Sequence, residues 1–306
     1  FVTEFGFQAP ANRRTFEEVT NPEDRDPQSE VMEHHNKQVE GTERLVRFQA
    51  AHFKLTSDFD QFIYQGQVMQ AEALKRAVEH WRRRKFKTAG SLFWQLNDCW
   101  PVSSWSVIDS AMRPKAAYYY AKKFFAPTLV SVKQGGGRLE VWGTNDLLVS
   151  VSGQLEVSLR SFDGSVAWSK RTHVDLRRNA SNILMRIDNS GYAQADPTQS
   201  YLLVQLKARD TVLSENRFFL VEPKHMQRQP TSVTMELEKA DGIAYVVTLK
   251  SKTLIKNARI EMEGEDVEVD DNYFDVDAGI SKRVRIVSQS SKELIRKRLR
   301  LRSLWS

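Results

Sequence analysis

Glu4 is the residue of this chain best placed to do chemistry. It stands in FVTEFGF, residues 1–7, a strand-forming stretch otherwise made of aromatic, small and apolar residues. Period-two alternation sets Phe1, Phe5 and Phe7 on one face and Val2, Glu4 and Gly6 on the other. The aromatic face suits packing under helices. The other face carries a carboxylate into a narrow, mostly apolar interior, where an unpaired charge costs several kcal/mol. Such a charge is kept where it has partners or a task. By residue type alone, two further readings stay open: a wet edge-strand residue, or a core carboxylate paired with an arginine.

A second group of candidates lies about ninety residues on. Residues 89–96, AGSLFWQL, read as a continuous apolar strand, with Gly90, Leu92, Trp94 and Leu96 sharing one face. Trp94 then projects near the strand's C-terminal end, where sites form in parallel α/β architectures. The loop that follows, Asn97-Asp98-Cys99-Trp100-Pro101, joins indole, carboxylate and amide groups. That mixture suits sugar: an apolar ring face to stack on, and polar groups for hydroxyls. Taken singly, Trp94 also fits a core position and Asn97-Asp98 a turn. His34 and His35 read as solvated helix residues, and no third ligand stands at metal-site spacing. No cofactor and no metal are expected.

These residues need elements to hold them. Helices are expected over residues 30–38, 42–53, 58–85 and 114–125. The third is the strongest: Phe62, Ile63, Met69, Ala73, Leu74, Ala77, Val78 and Trp81 recur at spacings of three and four, behind an N-cap at Ser57 or Asp58. Strand, long helix, strand, helix is βα alternation and favours a parallel sheet. From Pro127 the pattern turns to period two. Leu155, Val157 and Leu159 alternate, Asp163-Gly164 marks a hairpin turn, and Leu202, Val204 and Leu206 form a further strand. Residues 223–230 read as a linker. Strands at 245–249, 258–262, 273–276 and 284–287 then make a second β unit. The expected division is an α/β part over 1–126 and immunoglobulin-like sandwiches over 127–222 and 223–306.

Composition bounds the rest. The chain has 306 residues, 41% hydrophobic and 27% charged, with net charge +6. No run approaches the roughly 18 apolar residues of a membrane span. Two basic clusters, residues 82–87 (RRRKFK) and 296–302 (RKRLRLR), read as a helix C-terminus and as a half-buried strand, so no nucleic-acid partner is expected. The single cysteine, Cys99, excludes an internal disulfide and reads as a buried thiol. Asn179-Ala180-Ser181 is a glycosylation sequon. A chain that opens on Phe1 inside a core strand, without a signal peptide, reads as a fragment or a processed product.

Four segments carry a resemblance: TEFGFQ (3–8), HHNKQVEGTERL (34–45), DFDQFIYQGQVMQAEALKRAVEHWRR (58–83) and GSLFWQLNDCWPVSSWSVIDSAMRPKAAYYYAKKFFAP (90–127). In order and spacing they resemble the β-mannosidases of glycoside hydrolase family 2. The match is dense over residues 1–127 and looser beyond, where SENRFFLVEPK (214–224) and EVDDNYFDVDAG (268–279) look like parts of that family's C-terminal β domains.

The resemblance implies the C-terminal part of a (β/α)8 barrel followed by two immunoglobulin-like β-sandwich domains. It implies a retaining exo-β-mannosidase that removes terminal β-mannose from oligosaccharides by double displacement. Glu4 matches the family's nucleophile and Trp94 its sugar-walling tryptophan. Asn97, Asp98 and Trp100 sit in the same motif as further sugar contacts. The acid/base glutamate belongs to an earlier barrel strand that these residues do not contain. The chain is therefore expected to need the upstream part of its polypeptide and to be inactive alone. Alternatives are another activity of the family, such as exo-β-glucosaminidase, β-galactosidase or β-glucuronidase, or a non-catalytic carbohydrate-binding or structural sandwich module. The compartment stays open: the resemblance fits a lysosomal or secreted enzyme in a eukaryote and a cytoplasmic one in a bacterium.

Overall fold

The computed structural model of the chain describes residues 1–230 and 232–305. The chain divides into two compact units. One comprises Phe1–Arg160 with Val166–Met226; the other is the stretch from Gln227 onward with Ser161–Ser165.

The first unit opens with strand β1 (Val2–Phe5). Helices α1 (Arg13–Glu17), α2 (Glu30–His34), α3 (Gly41–His52) and α4 (Phe59–Arg83) follow, then β2 (Ser91–Phe93) and α5 (Ala116–Phe124). β1 and β2 pair in parallel, Val2 opposite Ser91 and Phe5 opposite Phe93, with an irregularity in between. The crossover between them includes α4, as parallel pairing requires. Asp58 caps α4 by accepting from the Gln61 N–H at 2.6 Å, satisfying one of the helix's orphan donors. The expected stripe is buried at Phe62, Ile63, Met69, Leu74 and Val78. Polar residues are buried on α4 as well, Gln65, Gln67, Gln70 and Glu79 among them, so the helix is covered on several sides.

Three expectations need correction here. The helix expected over 30–38 stops at His34, because the chain then engages the loop after β2: Lys37 N–H donates to Ser103 and Ser103 N–H to His35. The strand expected over 89–96 is paired only from Ser91 to Phe93. Past Trp94 the backbone leaves the sheet and bonds to its own loop, Gln95 N–H to the Trp105 carbonyl and Val107 N–H to that of Gln95. Phe1 lies exposed, its ring over Gly90, and does not join Phe5 and Phe7 in the packed layer.

The same unit carries seven antiparallel strands: β3 (Thr128–Gly135), β4 (Arg138–Asn145), β5 (Val151–Ser161), β6 (Val166–Leu176), β7 (Ala180–Asp188), β8 (Ser200–Ala208) and β9 (Thr211–Phe219). They form two sheets, β3-β4-β7 and β6-β5-β8-β9. Their inner faces enclose a core that includes Val130, Leu139, Leu155, Val157, Leu202 and Val204. Burying each such side chain contributes about 1.5–3 kcal/mol, which holds the sandwich closed. β8 is buried on both faces, Tyr201 and Leu203 as well as the expected Leu202, Val204 and Leu206.

The second unit is a smaller sandwich. Strands β10 (Val233–Lys239), β11 (Ala244–Ser251), β15 (Lys282–Val287) and β13 (Glu268–Val269) form one sheet in that order. β14 (Phe274–Val276), β12 (Ile255–Met262) and β16 (Leu299–Arg302) form the other. Its core includes Val247, Leu249, Ile260, Phe274, Val284 and Ile286. The basic cluster at 296–302 is not one strand. Helix α6 (Lys292–Arg298) takes its first half, capped by Ser291, and β16 takes the rest. Ile295 and Leu299, four apart, reach the core, and the Lys and Arg residues of the last helical turn suit the negative end of the helix dipole.

The candidate active site

Glu4 immediately precedes Phe5, whose ring meets Trp81 of α4 edge-on with centroids 4.5 Å apart. Trp94 immediately follows Phe93, whose ring stacks with Phe125 at 6.2 Å. Adjacent residues of a strand point to opposite faces, so Glu4 and Trp94 both project from the face opposite the helices. That face is open. Trp94 is 53% exposed, its neighbour on the strand face, Leu92, is 57% exposed, and Leu96 in the loop beyond is 60% exposed. Glu4 is exposed too, which corrects the expectation of a narrow apolar interior. The cause is that two strands offer nothing to cover that face. The irregularity between Val2 and Phe5 turns Val2 inward with Phe5 and puts Thr3 outside beside Glu4.

The strand ends are brought together by close backbone approach. Trp94 N–H donates to the Phe5 carbonyl at 2.7 Å. A Cβ on Gly6 would collide with the Trp94 carbonyl oxygen and press on the Trp105 indole at 3.1 Å. Glycine after Glu4-Phe5 is thus a condition for this approach.

Beneath the strand ends lies a buried polar cradle that the sequence pattern did not disclose. Asp98 is buried and its oxygens are fully engaged: Oδ1 accepts from Lys37 Nζ at 2.8 Å and Gln95 Nε2 at 3.0 Å, and Oδ2 from Ser106 Oγ at 2.5 Å and Ser104 Oγ at 2.6 Å. Asp109 accepts from the Asn12 side chain at 2.9 Å, Thr15 Oγ1 at 2.7 Å and the Arg113 N–H at 3.0 Å. Lys115 lies within the field of both carboxylates, fully buried and donating to the Ala9 carbonyl at 3.1 Å. Burial pushes its ammonium down to about 8, against the opposing pull of Asp98 and Asp109. Helix α4 contributes Gln70, whose Nε2 donates to the Phe7 and Ser106 carbonyls at 2.8 and 3.1 Å. The loops after β1 and β2 are thereby tied to one another and to the helix behind them. The one early sign was the run of glutamines at 65, 67 and 70, misplaced for a purely apolar core helix.

The remaining candidates lie around this cradle. Asn97 is exposed and Trp100 half-buried. Trp100 packs on the paired histidines, with centroids 5.8 Å from His34 and 5.5 Å from His35. His35 Nδ1–H donates to the Pro101 carbonyl at 2.6 Å. Cys99 is exposed and free, not the buried thiol expected, because Asp98 on its N-terminal side takes the inward position of the loop. Among the described residues no group of histidine, cysteine and carboxylate side chains could hold a metal ion.

Comparison with known proteins places this arrangement. Residues 137–225 match the Mannosidase Ig/CBM-like domain family and residues 228–306 a mannosidase Ig-fold domain family. A crystal structure of β-D-mannosidase from Dictyoglomus thermophilum superposes on 99% of this chain, with a TM-score of 0.91 and 32% sequence identity. Over nearly its whole length the chain is similar to β-mannosidases. Beta-mannosidase B of Aspergillus clavatus is similar at 25% identity over 94% of the chain. The exo-chitosanase CsxA of Amycolatopsis orientalis shares the fold, at a TM-score of 0.76 and 14% identity over 99% of the chain. This chain spans 36% of the Aspergillus protein, 37% of the Dictyoglomus chain and 41% of the exo-chitosanase chain.

Proposed function

We propose that this chain carries the nucleophile side of a retaining exo-β-mannosidase site. The observation that carries the reading is the parallel pairing of β1 and β2, which brings Glu4 and Trp94, both exposed, to the joined strand ends on either side of the Phe5–Phe93 pair. In this reading residues 1–126 are the C-terminal part of a (β/α)8 barrel, an architecture that takes about 250 residues. The open apolar face is the one that further barrel strands cover.

Glu4 attacks the anomeric carbon of a terminal β-linked mannose, and the bond to the leaving oxygen breaks as that oxygen is protonated. Water then releases the glycosyl-enzyme with retention. The acid and base is a second carboxyl roughly 5–5.5 Å from the nucleophile, supplied by residues outside this chain. Trp94 walls the sugar subsite, and Asn97 and Trp100 lie at its rim. Asp98, with all its lone pairs engaged, holds the loop in place and does not meet the sugar.

The test is hydrolysis of p-nitrophenyl β-mannoside by this chain and by the complete polypeptide. The reading expects turnover in the complete polypeptide alone, abolished by Glu4→Gln. Turnover by this chain alone would sink it. The glucosaminide and galactoside, run beside the mannoside, decide between members of the family.

A further inference from the structure

The C-terminal turns of α4 are gripped on two opposite sides. Asn216 of β9 is buried; its Nδ2 donates to Glu79 Oε1 at 2.7 Å and to the Val130 carbonyl of β3 at 3.1 Å, and its Oδ1 accepts from Lys75 Nζ at 3.3 Å. Glu79 is itself buried and has Lys75 and Arg83 at 3.8 and 3.6 Å. Arg83 reaches the Val132 carbonyl at 3.5 Å. Arg82 and Lys85 both hold Asp146, in the turn after β4, at 2.9 and 2.5 Å. Every one of these bonds joins the helix to the first sandwich or braces a group that does.

Trp81 faces the other way. It lies about 200° around the helix from both Glu79 and Arg83, and its ring meets Phe5. Phe5 is covalently next to Glu4, and its carbonyl holds Trp94. A continuous set of contacts thus runs from β9 through Glu79 and Trp81 to the strand carrying Glu4. Apolar packing tolerates small sliding and rotation of a helix. A buried carboxylate bonded to a buried amide resists it more, since turning the helix would break the Glu79–Asn216 bond and draw Lys75 away from Asn216.

We propose that the first sandwich is a positioning element for β1: Asn216 fixes the rotation of α4 through Glu79, and α4 fixes Glu4 and the Trp94 backbone through Trp81 and Phe5. The consequence for turnover rests on the reading of Glu4 as the nucleophile; the mechanical link does not.

Two measurements on Asn216→Leu test this. The first is deuterium exchange in the chain, followed over residues 1–8 and 90–96, with 201–206 in the sandwich core as internal reference. We expect exchange in 1–8 and 90–96 to rise ~10-fold while 201–206 keeps its protection. The second is kinetics of the complete polypeptide on p-nitrophenyl β-mannoside. Displacing a nucleophile slows attack more than it weakens binding, so kcat should fall ~10-fold with KM changed less than about twofold. Glu79→Gln keeps the acceptor for Asn216 and should retain most of both properties. Should Asn216→Leu open 201–206 as well, Glu79→Ala decides, because it leaves every sandwich residue in place. Unchanged exchange in 1–8 overturns the proposal. If the unaltered complete polypeptide turns over no mannoside, the nucleophile reading fails and the exchange arm still decides the positioning.

Discussion

The backbone N–H of Trp94 donates to the carbonyl of Phe5 at 2.7 Å. This bond sits beyond the last regular pair of the two strands, Phe5 with Phe93, and it fixes how far their ends advance together. Glu4 and Trp94, one residue either side of that pair, are set by it on the face away from the helices.

Gly6 should therefore resist substitution. Alanine there drives its methyl into the Trp94 carbonyl and against Trp105, so the strand ends must separate. Overpacking of this kind costs about 1–3 kcal/mol. Urea unfolding of Gly6→Ala should show a loss of that size. Alanine at Gly136, where nothing stands nearby but φ is +61°, should cost only the smaller left-handed-backbone penalty, about 1 kcal/mol.

Lys115 should make stability rise with alkaline pH. Its folded value is about 8 against an ordinary 10.5, so between these values the unfolded chain binds more protons and unfolding becomes harder as pH increases. The burial cost is fully present below about pH 8 and is lost by about pH 10.5, a change of roughly 3 kcal/mol. Lys115→Met removes the titration. The stability difference between the variant and the unaltered chain, measured by urea unfolding across that range, should shift in favour of the unaltered chain by about that amount. A pH-independent difference would contradict the buried ammonium.

How much of this was legible in the sequence depends on the range of the interactions. The sandwich strands followed from period two, because Leu155, Val157 and Leu159 each find the core by local alternation. α4 followed from its stripe and its Asp58 cap. The family motifs drew attention to Glu4 and Trp94, and alternation grouped Trp94 with Leu92, both of which are exposed. The cradle did not follow, since Lys37, Asp98, Asp109 and Lys115 are brought together by loops and no periodicity relates them. The exposure of Glu4 was missed because alternation fixes a face but not what covers it, and the inward turn of Val2 because a strand irregularity leaves no mark in a hydrophobic pattern. At 296–302 the Leu–Arg alternation hid the four-residue spacing of Ile295 and Leu299 that belongs to α6.

Glu222 ties the segment after β9 back to the helices. It accepts from His52 Nδ1 at 2.7 Å and from Arg76 at 3.1 Å. Burial raises its carboxyl, but the His52 hydrogen bond and the Arg76 charge outweigh that and hold it below the ordinary 4.5. The contribution is then present above pH 4.5 and lost as pH falls through the lower folded value. Glu222 and His52 are each about a third exposed and Arg76 is 61% exposed, so solvent screens the interaction and about 0.5–1 kcal/mol is expected. Glu222→Gln should be less stable than the unaltered chain by that amount at pH 6, with the gap closing under acid in thermal or urea unfolding.

The nucleophilic role of Glu4 is tested most directly by trapping. A fluorine-substituted mannosyl fluoride forms a glycosyl-enzyme, releasing its anomeric fluoride, faster than the enzyme hydrolyses it, so the complete polypeptide should gain the mass of one fluoromannosyl group. Digestion and mass spectrometry should place that mass on Glu4, within the peptide that begins at Phe1 or spans it. Attachment to any other carboxylate, or full turnover of the mannoside by the Glu4→Gln variant, would contradict the account.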